Sequence, residues 1–177
     1  PAITDFVSLA KDSAHMFVTG PDVVKTVTHE EVTAEQLGGA ITHSSRSGVS
    51  DLALENDVEM LLNTRRFFNF LPANNREKPP VWPCEDPPTR EELSLDSLVP
   101  DDPAKPYDIK ELIIKLADEG DFFELQPEYA KNIVIGFIRM EGSTVGVVAN
   151  QPMVLAGCLD INSSTKGARF VRFCDAF

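Results

Sequence analysis

Residues 145–177 read Val-Gly-Val-Val-Ala-Asn-Gln-Pro-Met-Val-Leu-Ala-Gly-Cys-Leu-Asp-Ile-Asn-Ser-Ser-Thr-Lys-Gly-Ala-Arg-Phe-Val-Arg-Phe-Cys-Asp-Ala-Phe. The first residues are small or β-branched, a loop with proline and glycine follows, and apolar residues then recur at helical spacing. This order predicts a buried strand, a loop and a helix, an arrangement that suits a site built from loops at strand ends. The apolar stripe of the helix still continues at the last residue, so we expect the chain to be a piece of a larger enzyme.

The predicted helix of this stretch takes its N-cap from residues 162–164. Its apolar stripe consists of Phe170, Phe173, Cys174 and Phe177. Lys166, Arg169 and Arg172 lie along the same helix and fit either a cationic patch for a phosphorylated ligand or a solvated helix face. We favour the solvated face, because charged runs on helices usually have that role.

The residues before this stretch predict a helix and a β-hairpin. Asp108, with Glu111 three residues later, indicates a helix start. The β-rich runs 133–140 and 144–149 flank Glu141-Gly142-Ser143, a turn signal between two strands.

Residues 76–106 differ from the rest of the chain because they are rich in proline. Eight of the 13 prolines fall between Pro79 and Pro106. Missing N–H donors and restricted backbone angles oppose a regular element. We therefore expect an interdomain linker or an extended surface crossover here, and we place the domain boundary in it.

Residues 1–75 predict a first α/β unit. Residues 5–10 and 15–19 are typical of short buried strands, and Pro21 indicates a turn or a helix start. Residues 28–37 contain capping-box spacings, and Gly38-Gly39 predicts a helix C-cap.

A long helix is expected from Ser50, with Pro72 stopping it. Its apolar residues at helical spacing are Leu54, Val58, Leu61, Leu62 and Phe68.

Composition excludes several classes of function. The formal net charge is −12, and all of the acidic excess falls before residue 126. Nucleic-acid binding, which needs a basic surface, is therefore not expected. No apolar run approaches the roughly 18 residues that span a bilayer, so no membrane partner is expected either.

The cysteines and histidines do not predict a reactive centre. Three widely spaced cysteines indicate a reducing compartment without disulfides, and we expect Cys158 and Cys174 to pack in the core. The spacing of the histidines to the cysteines predicts no zinc site. Asp160 and Ser163 are better explained by structural roles, the serine as a helix cap, than by catalysis.

No acid–base pair or nucleophile with its base stands out in the sequence. If the chain belongs to an enzyme, we expect catalysis to depend on backbone N–H donors near a developing oxyanion. Glycines near helix starts are the trace that such donors leave. Asn150-Gln151-Pro152 and Gly157-Cys158-Leu159 are the two loop segments that fit.

Seven blocks of sequence carry a family resemblance that covers nearly the whole chain. They are Pro-Ala-Ile-Thr-Asp-Phe (1–6), Met-Phe-Val-Thr-Gly-Pro-Asp-Val-Val-Lys (16–25), Glu-Gln-Leu-Gly-Gly-Ala (35–40), Phe-Leu-Pro-Ala-Asn-Asn (70–75), Val-Ala-Asn-Gln-Pro-Met (148–153), Gly-Cys-Leu-Asp-Ile-Asn-Ser-Ser (157–164) and Lys-Gly-Ala-Arg-Phe-Val-Arg-Phe-Cys-Asp-Ala-Phe (166–177). In this order they closely resemble the carboxyltransferase (β) subunit of biotin-dependent acyl-CoA carboxylases, above all its propionyl-CoA type.

The resemblance implies an α/β fold of two incomplete crotonase-like domains, each a ββα superhelix of the ClpP/crotonase type, joined by a proline-rich linker. Residues 1–75 would end the N-domain, which binds the acyl-CoA. Residues 76–106 would be the linker, and residues 107–177 would open the C-domain, which receives carboxybiotin.

The implied activity is transfer of a carboxyl group from carboxybiotin to the α-carbon of propionyl-CoA, giving methylmalonyl-CoA. Biotin is carried by a partner α subunit, where ATP is used. The family's two pairs of oxyanion-binding backbone N–H groups would lie outside residues 1–177. The segment would therefore hold no catalytic residue and no metal, and alone it would be inactive.

The resemblance also implies partners, a location and a site. N-domains would face C-domains in dimers that stack into a hexamer with the α subunit, in the bacterial cytoplasm or the mitochondrial matrix. By analogy between the two domains, Asn150, Gln151, Pro152 and Gly157 would border the biotin side.

Two other interpretations stay open. The chain could come from a related acyl-CoA transcarboxylase or sodium-pumping decarboxylase, or it could be a non-catalytic acidic assembly module. Flanking sequence and partner subunits would separate the related enzymes from the first interpretation, and turnover would separate the assembly module.

Overall fold

The computed structural model of the chain describes residues 3–177. They form two compact units. Unit 1 comprises the residues up to Arg65 together with Gln126–Tyr129, and unit 2 comprises Arg66–Leu125 and Ala130–Phe177. The assignment of residues 1–75, 76–106 and 107–177 to the domains and linker of the family remains a prediction.

Unit 1 contains two short strands and a series of helices. In chain order they are β1 (Ser8–Ala10), α1 (Pro21–Thr28), α2 (Ala34–Gly38), α3 (Ala40–Thr42), β2 (Leu52–Leu54) and α4 (Asp57–Phe68), of which the last ends in unit 2. The helix start at Pro21 is confirmed. The capping box of Thr33 with Gln36 is also confirmed, because each side chain accepts from the backbone N–H of the other residue.

The core of unit 1 is built on a parallel pair of strands. β1 pairs with β2 so that Leu9 lies opposite Ala53. Asp51 holds this register, since its Oδ2 accepts from the backbone N–H of Val7 at 2.8 Å while its own N–H donates to the Val7 carbonyl at 2.7 Å. Val7 and Leu9 then pack on Ala40.

One prediction for the early part of the chain is wrong and another is confirmed. A single β-bridge joins His15 to Gly39, and Val18 is fully exposed, so residues 15–19 do not form a buried strand. The predicted C-cap is confirmed, because α2 ends at Gly38 and Gly39 is its C-cap, although Gly39 is extended (φ −77°) rather than left-handed. Gly38 permits a close approach, because a Cβ there would lie 2.2 Å from the Met16 carbonyl oxygen.

The long helix expected from Ser50 is also wrong in its start and its buried face. Ser50 is fully buried and precedes β2, and the helix begins only at Asp57. Val58, Leu61 and Leu62 are 60–67% exposed, so the predicted apolar stripe is a solvent-facing surface of unit 1. The strand was missed because its partner, β1, lies 44 residues away in the sequence.

Unit 2 contains an antiparallel three-stranded sheet and two helices. They are α5 (Ile109–Leu116), β3 (Phe123–Leu125), β4 (Ile133–Met140), β5 (Ser143–Asn150) and α6 (Ile161–Ala176). The sheet order is β3-β4-β5. The predicted hairpin is confirmed, with Glu141 and Gly142 both at positive φ as two-residue hairpin turns of the primed type require.

The two faces of β4 pack against different apolar clusters, as alternation along a strand dictates. Val134 and Ile138 pack on Ile113 and Ala117 of the α5 region. On the other face, Phe137 is the centre of a group of rings that includes Phe67, Phe70, Phe170 and Phe173.

Residues 76–106 contain one 3₁₀ helix, Leu93–Ser97, and otherwise consist of turns, bends and irregular chain. The segment lies along unit 2: the backbone N–H of Trp82 donates to the Gly142 carbonyl at 3.0 Å. The guanidinium of Arg139 lies between the rings of Trp82 and Phe70, 4.9 and 4.2 Å from their centroids. A linker role for this segment stays a prediction.

The helix predicted after the loop is confirmed, with corrections at both ends. Asp160, rather than a residue in 162–164, is the N-cap of α6, and it forms a capping box with Ser163. Phe170 and Phe173 are buried, but Cys174 and Phe177 are exposed. Cys158 is exposed as well, so the prediction that both cysteines pack in the core is wrong.

Candidate functional site

The loop between β5 and α6 has an unusual backbone. Leu155, Ala156 and Gly157 follow one another at positive φ (50°, 51° and 72°). A left-handed conformation costs an ordinary residue about 1–2 kcal/mol, and such strain concentrates at functional sites. The strained turn lies in the loop between Asn150 and Leu159, where the sequence predicts backbone donors.

A hydrogen bond between Asn150 and Gly157 joins the start of the loop to this turn. The Asn150 side-chain amide donates to the Gly157 carbonyl at 2.6 Å. A Cβ on Gly157 would lie 3.3 Å from the Asn150 Cβ and 3.7 Å from the backbone of Pro152. The structure therefore brings Asn150, Pro152 and Gly157 into one place, and Gln151 lies between the first two in the chain.

Gln151 is 5% exposed, and both ends of its amide are hydrogen bonded. Its Nε2 donates to Asp108 Oδ1 at 2.7 Å, while its Oε1 accepts from the backbone N–H groups of Ile109 and Met153 at 3.3 and 3.4 Å. The side chain therefore ties the loop to the N-terminus of α5. Asp108 is a partner that sequence analysis used only as a helix cap.

Asn132 ties the same loop to the start of β4 and to α6. Its carbonyl accepts from the backbone N–H of Gln151 at 2.9 Å, and its side-chain amide donates to the Cys158 carbonyl and to Ser163 Oγ. Ser163 donors also lower the pKa of the Asp160 carboxyl. Sequence analysis missed Asn132, since nothing local marks a residue whose partners lie about 20–30 positions away.

A cleft of about 320 Å³ opens beside this loop in unit 2. One wall is formed by the segment that ends at Tyr107, and the other by Pro152 and Ala156. The lining is mostly apolar with a few polar groups, among them Asp102 and Lys105. Small-molecule sites have this composition and volumes from about 300 Å³ upwards.

The turn beside the cleft also contains backbone donors. Within residues 3–177, the N–H groups of Leu155 and Ala156 donate to no acceptor, whereas those of Gly157 and Cys158 close the turn on Val154 and Leu155. Two neighbouring N–H groups without internal partners can bind a ligand oxygen. That these donors form part of a site stays a prediction.

The carboxyl transferase domain model matches residues 1–177. The chain belongs to the carboxyl transferase domain family. Over the whole chain it is 71% identical to the propionyl-CoA carboxylase beta chain of Roseobacter denitrificans and 52% identical to the methylmalonyl-CoA decarboxylase subunit alpha of Veillonella parvula. It spans 35% of the length of each of these relatives.

A solved carboxyl transferase structure agrees with this membership. A transcarboxylase 12S structure, described as a hexamer assembly with hydrolysed methylmalonyl-coenzyme A bound, matches the whole chain with a TM-score of 0.95 and 46% identity. The chain covers 35% of that protein. The predicted α/β, crotonase-like fold of the carboxyltransferases is thereby confirmed.

Lys166, one of the three cations predicted along the last helix of this carboxyl transferase chain, is not on a surface. It is 3% exposed, and its Nζ donates to the Ile133 carbonyl at 2.9 Å and reaches the Ala130 carbonyl at 3.4 Å. Burial lowers its pKa to about 8. For Lys166 both the favoured solvated face and the alternative cationic patch are therefore wrong, and Arg169 and Arg172 remain beside a shallow groove on the outer face of α6.

Cys84, Asp118 and Glu119 place three potential metal-binding atoms within 4.8 Å of one another. Asp118 already has a structural role, since its two oxygens accept from the backbone N–H groups of Glu141 and Gly142. The cluster is thus explained as an anchor for the β4–β5 turn. Each helix in the described part of the chain is too short or too polar to cross a bilayer.

Proposed function

We propose that this chain is part of a carboxyltransferase that moves a carboxyl group from carboxybiotin to the α-carbon of propionyl-CoA, giving methylmalonyl-CoA. The observation that carries the proposal is 71% identity, over all 177 residues, to a propionyl-CoA carboxylase beta chain. Residues 1–75 would contribute to the acyl-CoA side and residues 107–177 to the biotin side.

The cleft beside the 150–157 loop fits the biotin side. Biotin combines a compact urea-containing ring with an apolar chain, and the cleft combines apolar walls with a few polar groups. Pro152, Ala156 and Tyr107 would hold the ring, and the N–H groups of Leu155 and Ala156 would donate to an oxygen of the ligand. When bound, carboxybiotin supplies the carboxyl group that is transferred.

The proposal gives the described residues a supporting role that needs no charged catalytic cluster. The buried amides of Asn132 and Gln151 hold the loop, which presents backbone rather than titratable side chains to the cleft. Preorganised backbone donors of this kind stabilise developing oxyanions without a proton transfer of their own. The donors that bind the enolate would lie outside residues 1–177.

The proposal includes partners and a location. A biotin-carrying α subunit would use ATP to carboxylate biotin, and the β subunit would assemble into a hexamer, the assembly named for the transcarboxylase relative. The bacterial relatives support a cytoplasmic location, with the mitochondrial matrix as the equivalent in eukaryotic relatives.

The test uses the full-length protein that contains this chain, purified without its partner. Methylmalonyl-CoA and free biotin are supplied, and formation of propionyl-CoA is measured by chromatography. Biotin-dependent formation of propionyl-CoA, with at least about tenfold lower kcat/KM for malonyl-CoA, supports the proposal. Absence of transfer contradicts it and favours a non-catalytic assembly module.

A second candidate is the same half-reaction in a transcarboxylase or a decarboxylase, supported by 46% and 52% identity to such proteins. These enzymes need no ATP for transfer. Co-purification of the full-length protein from its natural source separates the candidates. A partner with ATP-dependent biotin carboxylation supports the carboxylase, and a partner without it supports the second candidate.

A further inference from the structure

We propose that Gln151 and Asp108 form a clamp that sets the width of the cleft and so positions the biotin-side ligand. This inference rests on the proposed function and assigns Gln151 a different role within it. Gln151 acts as a positioning residue and does not itself contact the ligand.

The contacts of Gln151 define its orientation without ambiguity. Backbone N–H groups can only donate, so the side-chain atom that faces Ile109 and Met153 is the oxygen. The atom 2.7 Å from the Asp108 carboxylate must then be the amide nitrogen. Because both ends are engaged and the residue is buried, the side chain has its partners inside the protein.

The clamp connects the two walls of the cleft. Asp108 follows Tyr107 of one wall directly in the chain, and Pro152 of the other wall follows Gln151. The Gln151–Asp108 hydrogen bond therefore lies one residue from each wall. Its length limits how far the walls can separate, in the way that buried charge-assisted hydrogen bonds fix local geometry.

The two anchors of the clamp are themselves fixed. Asp108 is the N-cap of α5, with Oδ1 accepting from the Lys110 N–H at 2.9 Å. The backbone of Gln151 is held by Asn132, and the adjacent Asn150 holds Gly157. A change in the clamp should thus move the Pro152–Ala156 wall relative to Tyr107 rather than relax elsewhere.

Gln151→Glu tests the clamp with a nearly isosteric change. The new carboxylate can still accept from Ile109 and Met153, but it cannot donate to Asp108 and repels it when both are ionised. In the full-length protein we expect the KM for free biotin to rise about tenfold or more, with the KM for methylmalonyl-CoA within about twofold of wild type. The two carboxyl groups can share one proton, so the defect should lessen at lower pH.

Two companion variants give the result its meaning. Adding Asp108→Asn to Gln151→Glu removes the second negative charge while keeping a side-chain acceptor for the Lys110 N–H, so a smaller rise in the biotin KM than in Gln151→Glu alone supports the clamp. Gln36→Glu makes the same side-chain change in the capping box of α2, where only the acceptor oxygen is used, and should leave both KM values unchanged.

Each outcome decides the matter. An unchanged biotin KM or equal rises in both KM values would overturn the clamp. If Gln151→Glu fails to fold, Asp108→Ser replaces it: serine keeps the α5 cap but is too short to reach Gln151, so a biotin KM equal to wild type then overturns the clamp. Wild-type protein without any transfer would overturn the proposed function together with the clamp, whereas active wild type with unaffected variants overturns the clamp alone.

Discussion

The loop after β5 and the exposed face of α4 differ in an unexpected way: the loop region buries polar side chains, and the helix face exposes apolar ones. In the loop region, Asn132, Gln151 and Ser163 are polar, yet each is at most 5% exposed and hydrogen bonded. On α4, Leu61 and Leu62 are apolar and about 60% exposed. The difference shows that residue type alone does not decide burial; the availability of partners does.

The two regions should also differ in how strongly each fixes its own geometry. A buried polar network that is fully satisfied specifies one geometry, because any rearrangement leaves groups unpaired in a medium of low dielectric constant. An exposed apolar stripe specifies no geometry by itself. The loop is thus suited to hold a ligand cleft, and the stripe carries little of the stability of its unit.

Phe137→Ala should have the largest effect on stability, since it removes the ring at the centre of the aromatic group that packs on the β3-β4-β5 sheet. Phe137 is 3% exposed and lies 5.1 Å, centroid to centroid, from Phe170. We expect a loss of about 3–5 kcal/mol in the free energy of unfolding of the full-length protein, measured by urea denaturation. A loss below 1 kcal/mol would show that the rings do not form a closed core.

Lys166 should make the stability of the buried region depend on pH. Its pKa is about 8 in the folded chain against an ordinary value of 10.5, so between these pH values the unfolded chain binds a proton that the folded chain has lost. Stability should therefore rise with pH across this window, by up to about 3 kcal/mol. The measurement is the unfolding free energy from pH 7.5 to 10.5, and Lys166→Met should lack the rise that the wild type shows.

Asn132→Ala should cost about 1–3 kcal/mol, because it removes the side-chain donor to the Cys158 carbonyl and to Ser163 Oγ and leaves only the Asp160 N–H donating to that hydroxyl. Asn162→Ala is the matched control, since Asn162 is exposed on the first turn of α6. Thermal unfolding of both variants provides the comparison. Equal shifts in Tm would mean that the network adds nothing beyond ordinary helix propensity.

Leu61→Ser should have the smallest effect, within about 0.5 kcal/mol if the stripe of α4 stays exposed in the full-length protein. The same denaturation experiment measures it beside Phe137→Ala. A loss of 2 kcal/mol or more would show that another part of the protein covers this face, and the contrast between the two regions would then disappear.

Elements with local signals were predictable from sequence. The hairpin around Glu141-Gly142-Ser143, the capping box at Thr33 and the start of α5 at Asp108 each depend on residues within a few positions of one another. The loop that holds Asn150 and Gly157 was found in the same way, from proline and glycine between a strand and a helix.

Non-local features were not predictable. The parallel pairing of β1 with β2 joins residues 44 positions apart, and without it residues 50–54 look like the start of a helix. Asp108 and Gln151 lie 43 positions apart, so their hydrogen bond left no pattern to find. Lys166 has the sequence context of a solvent-facing lysine and becomes buried only because the start of β4 packs over it.

Trp82 gives the protein an internal optical reporter. It is the only tryptophan among the 177 residues, and its ring lies 4.9 Å from the Arg139 guanidinium while its backbone is bonded to the β4–β5 turn. A cation over an indole ring changes its emission, so the fluorescence of this residue registers whether the proline-rich segment rests on the sheet. Where the emission of Trp82 is separated from that of tryptophans outside residues 1–177, detachment of that segment could be followed in real time without attaching a dye.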